Sequence, residues 1–362
     1  ALTQSLQWAR EQRCPVLLHV RTVKGKGYSP AEERPADYHG VSPFDLVTGK
    51  PLRTAKMDFS HVFGQELTAL AGEDGRVCAI TAAMQEGTGL TEFARKYPDR
   101  LFDVGIAEGH AVSMAGGMAK QGLVPVFAVY SSFLQRGYDQ LLQDVALDGL
   151  HVVLGVDRAG LVGADGETHH GCFDALYLSQ VPHMTVLCPA SFAELRQMLR
   201  RAVLELTGPV AVRYPRGGEG AYQDCCGNET FTQVRPGADC TILTYGVLIN
   251  EALAAAELLH EAGVETRVVK LNAIAPLDGN AVLAALGSEK RLLVLEDCVG
   301  SGCVGQRLTA ILAQRGRMPE RLILKNLGDT IPCHGTVPQL YAQCGLDAAS
   351  VAAALKEACH EQ

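Results

Sequence analysis

Short apolar runs that alternate with helical patterns constrain the fold of this chain more than any other feature. Within residues 51–217, strand-like runs occur at 76–82, 124–129, 151–157, 184–188 and 208–213. Helical patterns lie between them, including 107–120, 132–147 and 191–205. Ser191 and Glu194 form the S-x-x-E pattern of a helix N-terminus at the last of these. Because such alternation is typical of a parallel sheet with helices on both faces, residues 51–217 are predicted to form a doubly wound α/β domain.

A second alternating unit begins at residue 237. The runs "CTILTY", "TRVVKL" and "RLLVLE" are predicted strands, 250–262 is a predicted helix, and another helix is predicted after the glycines of "VGSGCVG". Between the two units, the segment 218–236 is polar and contains Gly, Asn, Asp and Pro, as linkers do. We therefore expect two doubly wound α/β domains, the second at 237–362.

The first 50 residues have a different character. They contain a predicted helix, a predicted strand ("PVLLHVRT") and a loop rich in glycine and proline. The chain starts at Ala1 and lacks the basic start and apolar core of a signal peptide. We expect that it begins inside a domain.

Composition narrows the class of protein. The formal net charge of -8 gives no electrostatic reason to expect a nucleic-acid partner. No apolar run reaches the about 18 residues that suggest a membrane span, so no membrane partner is expected. The twelve cysteines include no C-x-x-C pair, which favours reduced thiols and a cytoplasmic location. Cys225 and Cys226 are adjacent and are interpreted as loop thiols rather than a metal or redox pair.

Two motifs place polar or aromatic groups beside predicted helices. In "DVGIAEGH", Glu108 lies near the start of a helix rich in small residues, a composition that allows another helix to approach closely. The helix dipole stabilises a carboxylate there, so a simple capping acid is the alternative interpretation. In "YSSFLQRGYDQ", Tyr130, Phe133 and Arg136 follow a predicted strand, where aromatic rings either stack on a ligand or pack in the core.

Three further motifs are loops. "DRAGLVGADGETHHGCFD" follows an apolar strand and combines four glycines with charged residues and histidines, as binding loops do. Metal binding by Asp165, His169 and His170 is the weaker alternative, because adjacent histidines rarely bind one ion. "RYPRG" ends a strand with two arginines, which suit a phosphate or carboxylate unless they form surface salt bridges. "KGKGYSPAEERPADYHG" has lysines and glycines without Walker spacing.

In this order, the five motifs resemble the 1-deoxy-D-xylulose-5-phosphate synthase family, relatives of transketolase. The resemblance rests on "KGKGY…PAE…YHGV", "FDVGIAEGH", "YSSFLQRGYDQ", "DRAGLVGADGETHHG" and "RYPRG", and it extends over essentially the whole chain. It implies a transketolase-like pyrimidine-binding domain at 51–217 and a transketolase C-terminal domain at 237–362. It also implies that residues 1–50 are the remnant of an N-terminal diphosphate-binding domain and its connecting loop.

The resemblance also implies roles for particular residues. Glu108 would hydrogen-bond the aminopyrimidine ring of thiamine diphosphate, while Phe133 would stack on that ring and Tyr28 would line the cofactor. The phosphate of glyceraldehyde 3-phosphate would be bound by three residues, Tyr130, Arg158 and Arg216. Polar groups near the reacting carbon and the substrate hydroxyls would come from His39, Asp165 and His169, with Arg136 a further polar residue nearby.

The implied reaction decarboxylates pyruvate and joins the two-carbon unit to glyceraldehyde 3-phosphate. Members of this family bind the Mg²⁺-diphosphate end of the cofactor through a GDG motif and a downstream Asn, and this sequence contains no GDG. We therefore expect no Mg²⁺ ligand in this chain. The expected partner is a second copy of the chain, paired through residues 51–217, or a polypeptide that carries the N-terminal domain. Gly109, where the family usually has Gln, is a smaller departure.

Two other functions remain open at this point. The β-subunit of a 2-oxoacid dehydrogenase has the same order of domains, although the "DRAGLVGADGETHHG" loop and the paired arginines favour the synthase. A truncated, non-catalytic paralogue that only dimerises or regulates is the third possibility.

Overall fold

The computed structural model describes residues 1–35, 37–41, 43–52, 56–225, 227–286 and 290–360. It separates into two compact units, residues 1–56 and 57–362, which are described one at a time.

The smaller unit contains two helices, α1 (Leu2–Glu11) and α2 (Ser29–Glu33). The predicted first helix is therefore confirmed. The predicted strand at 15–22 is wrong: these residues are extended but belong to no sheet, and Leu17 is 95% exposed. A strand is stabilised by hydrogen bonds to a neighbouring strand, and local propensity does not supply that neighbour.

The larger unit begins with a sheet of parallel strands. The strands are β1 (Val77–Thr81), β2 (Leu101–Asp103), β3 (Val124–Tyr130), β4 (Val153–Asp157), β5 (Thr185–Leu187) and β6 (Val210–Arg213). They lie in the order β5-β6-β4-β3-β1-β2, and every pairing is parallel. All five predicted strands are confirmed. Every residue of β1, β4 and β6 is buried, as expected for a sheet covered on both faces.

Helices cover both faces of this sheet. They are α3 (Phe59–Glu73), α4 (Thr91–Lys96), α5 (Glu108–Lys120), α6 (Ser131–Leu134), α7 (Tyr138–Gln140), α8 (Asp174–Gln180) and α9 (Phe192–Leu204). The predicted helix at 132–147 is interrupted, because a 3-10 turn at Gln135–Gly137 and a π-helical turn at Leu141–Ala146 flank α7. Ser191 caps α9 by accepting from the Glu194 N–H at 3.1 Å, so this predicted N-terminus is confirmed.

The second sheet has five strands. They are β7 (Phe231–Arg235), β8 (Cys240–Tyr245), β9 (Thr266–Leu271), β11 (Arg291–Leu295) and β12 (Arg321–Lys325), in the order β12-β11-β8-β9-β7. Its helices are α10 (Ile249–Glu261), α11 (Gly279–Leu286), α12 (Val304–Gln314), α13 (Val337–Cys344) and α14 (Ala348–His360). The strand β7 pairs antiparallel with β9, so the linker interpretation is wrong for residues 231–235. Their polar sequence suits an edge strand, which is half-buried.

The two sheets are joined by one strand and by buried ion pairs. The strand β10 (Ala273–Ala275) follows β9 of the second sheet in the chain, but it pairs antiparallel with β5 of the first sheet. Arg213, at the end of β6, bonds Asp174 at 2.9 Å and Asp297 at 3.0 Å, and all three are buried. Lys270 of β9 pairs with Glu194 of α9 at 3.0 Å, with both side chains fully buried. The two domains therefore share an interior that sequence periodicity does not reveal.

The described part of the chain contains neither a membrane-spanning helix nor a disulfide. No helix there is long and apolar enough to cross a membrane. The described cysteines form no disulfide, and Cys225 is exposed while Cys226 lies outside the described residues.

We expect Arg213→Met to lower the free energy of unfolding by about 3–5 kcal/mol, because it leaves two buried carboxylates without their cation. Urea unfolding followed by circular dichroism measures this. Arg76→Met is the matched control, since the exposed pair of Arg76 with Asp74 contributes at most about 1 kcal/mol. Equal losses in the two variants would contradict the role of Arg213 between the domains.

Candidate functional site

The motif residues of the larger unit meet at the carboxyl ends of three neighbouring strands. Tyr130 ends β3, Asp157 ends β4, and Arg216 follows β6 after a short turn. Because parallel strands end at the same edge of a sheet, loops from all three strands converge there. This edge is the usual ligand position in open α/β folds, and it defines the candidate site.

One end of the site is the ion pair between Glu108 and Arg136. Glu108 is the first residue of α5 and is only 2% exposed. Its Oε1 accepts from Arg136 Nη1 at 2.5 Å, and the Arg136 guanidinium lies 5.0 Å from the centre of the Phe133 ring. Glu108 lies in the first turn of α5, where the helix dipole favours a carboxylate, and it is also paired with Arg136. A buried carboxylate is thus held close to an aromatic ring.

Three rings continue the site from Phe133. The ring centres of Phe133 and His169 are 5.2 Å apart, and those of Phe133 and Tyr130 are 5.5 Å apart. All three side chains are half-buried rather than enclosed in the core. They therefore retain surface that a flat ligand can contact.

Arg158 extends the chain of contacts. Its guanidinium carbon lies 3.7 Å from the centre of the Tyr130 ring, a cation–π contact. Its Nη1 lies 3.0 Å from Asp157 Oδ1 and donates to the Gly87 carbonyl at 2.9 Å. The backbone of Arg158 has a φ of 60°, an unusual conformation for a residue with a side chain. Such strain is typical of functional sites.

Asp165 lies between the two arginines of the motifs. Its carboxylate contacts Arg216 Nη1 at 3.0 Å and Arg158 Nε at 3.7 Å. It belongs to a short 3-10 turn between Gly163 and Gly166, whose φ values of 65° and 78° require glycine. Two guanidinium groups thus converge on one anionic group, which is partly exposed on a glycine-rich loop.

The loop that carries Asp165 and His169 is anchored at both ends. Gly160 and Gly171 exchange two backbone hydrogen bonds, at 2.9 and 2.8 Å, and close its neck. His170 is buried and accepts from the Val162 N–H at 3.2 Å, so it stabilises the loop. No group of three or more His, Cys, Asp and Glu side chains that could hold a metal occurs among the described residues.

Two of the predicted site residues lie in the smaller unit. Tyr28 donates from its hydroxyl to the Leu46 carbonyl at 3.1 Å and packs against the rings of Tyr38 and Phe44. His39 Nδ1 lies 2.8 Å from Lys24 Nζ. Their roles toward a cofactor or substrate remain predictions.

Three contributors to the site received no predicted role from the sequence: Ser60, Gly87 and Asp157. Ser60 of α3 donates to Asp157 Oδ2 at 2.7 Å, although the two residues are 97 positions apart. Gly87 supplies the carbonyl that accepts from Arg158. Asp157 belongs to the third motif and received no role. Only its place at a strand end could have indicated one.

Comparisons with known proteins match most of the chain. The transketolase pyrimidine-binding domain model matches residues 55–218, and the transketolase C-terminal domain model matches residues 230–351. Among solved structures, a protein described as split gene transketolase, inactive beta4 tetramer, superposes with a TM-score of 0.71 at 25% identity, covering 83% of this chain and 97% of that one. A Pichia stipitis transketolase has the same fold, with a TM-score of 0.70 at 14% identity over 84% of this chain and 46% of its own.

The fold and the matched domains define a member of the transketolase family. Among curated proteins, the chain is similar to the 1-deoxy-D-xylulose-5-phosphate synthases of Clostridium kluyveri, at 42% identity over 97% of this chain, and of Desulforudis audaxviator, at 44% over 96%. It covers 56% and 55% of those two proteins. The chain thus spans about half the length of the curated relatives it matches.

The side chains at the site fit part of the cofactor that this family uses, thiamine diphosphate. The buried carboxylate of Glu108 and the half-buried ring of Phe133 suit the hydrogen-bonding edge and the flat face of a pyrimidine. No carboxylate cluster that would hold Mg²⁺ occurs in the described residues. The fit of Glu108 and Phe133 concerns the pyrimidine end of the cofactor.

Burial raises the pKa of Asp157 to about 6 from an ordinary 3.8, although Arg158 and Ser60 oppose the shift. Between about pH 4 and pH 6 the folded chain therefore binds more protons at this carboxyl than the unfolded chain does. The free energy of unfolding should fall as pH rises through that window, by up to about 3 kcal/mol.

Asp157→Asn removes this contribution. Relative to the wild type, the variant should gain stability between about pH 4 and pH 7 and show no further change above, as measured by urea unfolding across that range. A difference between the two proteins that does not vary with pH would contradict the raised pKa.

Proposed function

We propose that this chain supplies the pyrimidine-binding and acceptor-phosphate part of a 1-deoxy-D-xylulose-5-phosphate synthase, which converts pyruvate and glyceraldehyde 3-phosphate to 1-deoxy-D-xylulose 5-phosphate and CO₂. The observation that carries the proposal is the unbroken series of contacts from Glu108 to Arg216. Along one sheet edge, these contacts link a buried carboxylate and an aromatic ring to two convergent guanidinium groups, and this arrangement supports the proposal.

In this proposal, Glu108 and Phe133 orient the cofactor through its pyrimidine ring. Thiamine diphosphate supplies the electron sink for decarboxylation when it is bound. The carboxylate of Glu108 holds a proton on the pyrimidine, and Arg136 fixes the direction of that carboxylate. The burial of Glu108 also supports this role, because water does not weaken a hydrogen bond at a buried position.

The other end of the site receives the aldehyde substrate. Arg158 and Arg216 bind its phosphate, with Tyr130 beneath the first guanidinium. Guanidinium forks match phosphate oxygens in bidentate fashion and would discriminate against aldehydes without a phosphate. His169 and Asp165 lie on the same loop and contact the substrate hydroxyls and the reacting carbon. The roles that the sequence resemblance implies for Tyr28, toward the cofactor, and for His39, toward the substrate, are part of the proposal.

The proposed domain division is 51–217 for the pyrimidine-binding domain and 237–362 for the C-terminal domain, with residues 1–50 the end of a diphosphate-binding domain. A polypeptide that carries the rest of that domain, together with the Mg²⁺ ligands, is the proposed partner. The split-gene transketolase supports this, because its name describes an inactive assembly of β chains alone. We also propose pairing through residues 51–217 and a cytoplasmic location. The small residues Ala111, Ala115 and Gly116 of α5 are buried inside this chain, so they are not part of the proposed pairing surface.

Reconstitution tests the proposal directly. The chain alone should show no synthase activity, and mixing it with the N-terminal region of a relative, such as that of Clostridium kluyveri, should restore glyceraldehyde 3-phosphate-dependent release of CO₂ from pyruvate. The matched control is an assembly with Glu108→Gln, which keeps the shape without the charge and should lose about 10²–10⁴-fold in rate. If a folded complementary domain binds and no activity appears, a non-catalytic role becomes the better explanation.

Arg158→Ala and Arg216→Ala should each raise the KM for glyceraldehyde 3-phosphate about ten- to a hundredfold while changing the KM for pyruvate little. A charge-assisted hydrogen bond contributes about 1.5–3 kcal/mol, and only the aldehyde carries the phosphate. Steady-state kinetics of the reconstituted assembly gives both constants. Arg196→Ala, which removes an ion pair of α9 with Glu66, is the control. Equal effects on both substrates would refute the phosphate assignment.

A further inference from the structure

Arg158 is contacted by two carboxylates of different character. Asp157 is fully buried and lies 3.0 Å from its Nη1, whereas Asp165 is 25% exposed and lies 3.7 Å from its Nε. Asp165 also contacts Arg216. The four groups carry two positive and two negative charges, so a phosphate gains from both guanidinium groups only where one carboxylate moves away.

The two carboxylates differ in how easily they can move. Asp157 is the last residue of β4, and its Oδ2 accepts from Ser60 of α3 at 2.7 Å. Asp165 lies on the glycine-rich loop between Gly163 and Gly166. Withdrawing a buried carboxylate from its cation is costly, while a partly exposed one can turn into water. Asp165 is therefore the counter-ion that a phosphate displaces, and Asp157 is the permanent one.

Two further contacts keep the guanidinium group of Arg158 beside Asp157. The Gly87 carbonyl accepts from its Nη1 at 2.9 Å, and the Tyr130 ring lies beneath its guanidinium at 3.7 Å. Both are neutral groups, so neither offsets the attraction of Arg158 to Asp165. Among the groups that hold Arg158 in place, Asp157 is the one whose negative charge offsets the attraction of Arg158 to Asp165.

We propose that Asp157, anchored by Ser60, is a positioning residue. It prevents Arg158 from forming a close ion pair with Asp165, so that Arg158 remains available to bind phosphate. This inference rests on the proposed function, in which Arg158 and Arg216 bind the phosphate of the substrate. With Asp157 neutral, Arg158 pairs fully with Asp165, and an incoming phosphate has to break two strong ion pairs instead of one strong and one weak.

Titration of the full chain with inorganic phosphate, followed by calorimetry, tests the inference without a partner or cofactor. Arg158→Ala should weaken binding about tenfold or more, and Asp157→Asn should weaken it by a similar factor. In an Asp165→Asn background, the effect of Asp157→Asn should shrink below about twofold, because the competing carboxylate is gone. Thr241→Val, which changes a buried hydroxyl in the second sheet, is the control and should bind phosphate like the wild type.

The outcomes separate the two proposals. Unchanged binding in Arg158→Ala overturns the phosphate assignment in the proposed function. If Arg158→Ala weakens binding while Asp157→Asn binds as well as the wild type or better, the inference about Asp157 is overturned. A loss in Asp157→Asn that is equally large in the Asp165→Asn background would assign Asp157 a structural role only and also overturns it.

Ser60→Ala guards against a failure of Asp157→Asn to fold. It removes the hydroxyl that anchors Asp157 and leaves the carboxylate in place, so it should weaken phosphate binding about two- to fivefold. Wild-type affinity in a folded Ser60→Ala protein would overturn the inference on its own.

Discussion

The buried guanidinium of Arg213 is the interaction on which the geometry of the site depends. It ends β6 and bonds Asp174, where the binding loop runs into α8, and Asp297, just after β11 of the second sheet. Each of the three residues is at most 4% exposed. Asp297 also packs so closely on Gly160 that a Cβ at this glycine would overlap its Oδ2. Arg213 thus stabilises both the interface between the two domains and the closely spaced ends of the loop that carries Asp165 and His169.

Charge in this region is concentrated and internally compensated. Burial raises the pKa of Asp174 even though Arg213 opposes the shift, and it raises the pKa of Asp157 in the same way. Ionised groups held in this way reduce the stability of the fold unless their partners are well placed. The compensation is complete for Asp157, Arg158, Asp165 and Arg216 taken together. In the proposed site, an anionic ligand that displaces Asp165 replaces one negative charge with another. This requires less reorganisation than burying a new charge.

The two ends of the site present different chemistry along one sheet edge. At the Glu108 end, a buried carboxylate and an aromatic ring suit a flat heterocycle with a hydrogen-bonding edge. At the Arg216 end, guanidinium groups suit an anion. His169 lies between them, in contact with Phe133 and near Tyr130. In the proposed reaction, this arrangement brings a cofactor and a phosphorylated aldehyde to adjacent positions, each held by groups that the other does not use.

The sequence by itself determined the α/β class, the five predicted strands of the first sheet, the start of α9 and the loops in which the site lies, because periodicity and turn chemistry are local properties. It misassigned residues 15–22 and the strand β7, since strand formation depends on a neighbour that local sequence does not reveal. It also could not show that Ser60 anchors Asp157 across 97 positions, or that Arg213 joins carboxylates 39 and 84 positions away. Those contacts were decided by the tertiary structure, because a buried charge is tolerated only where packing brings a partner to it.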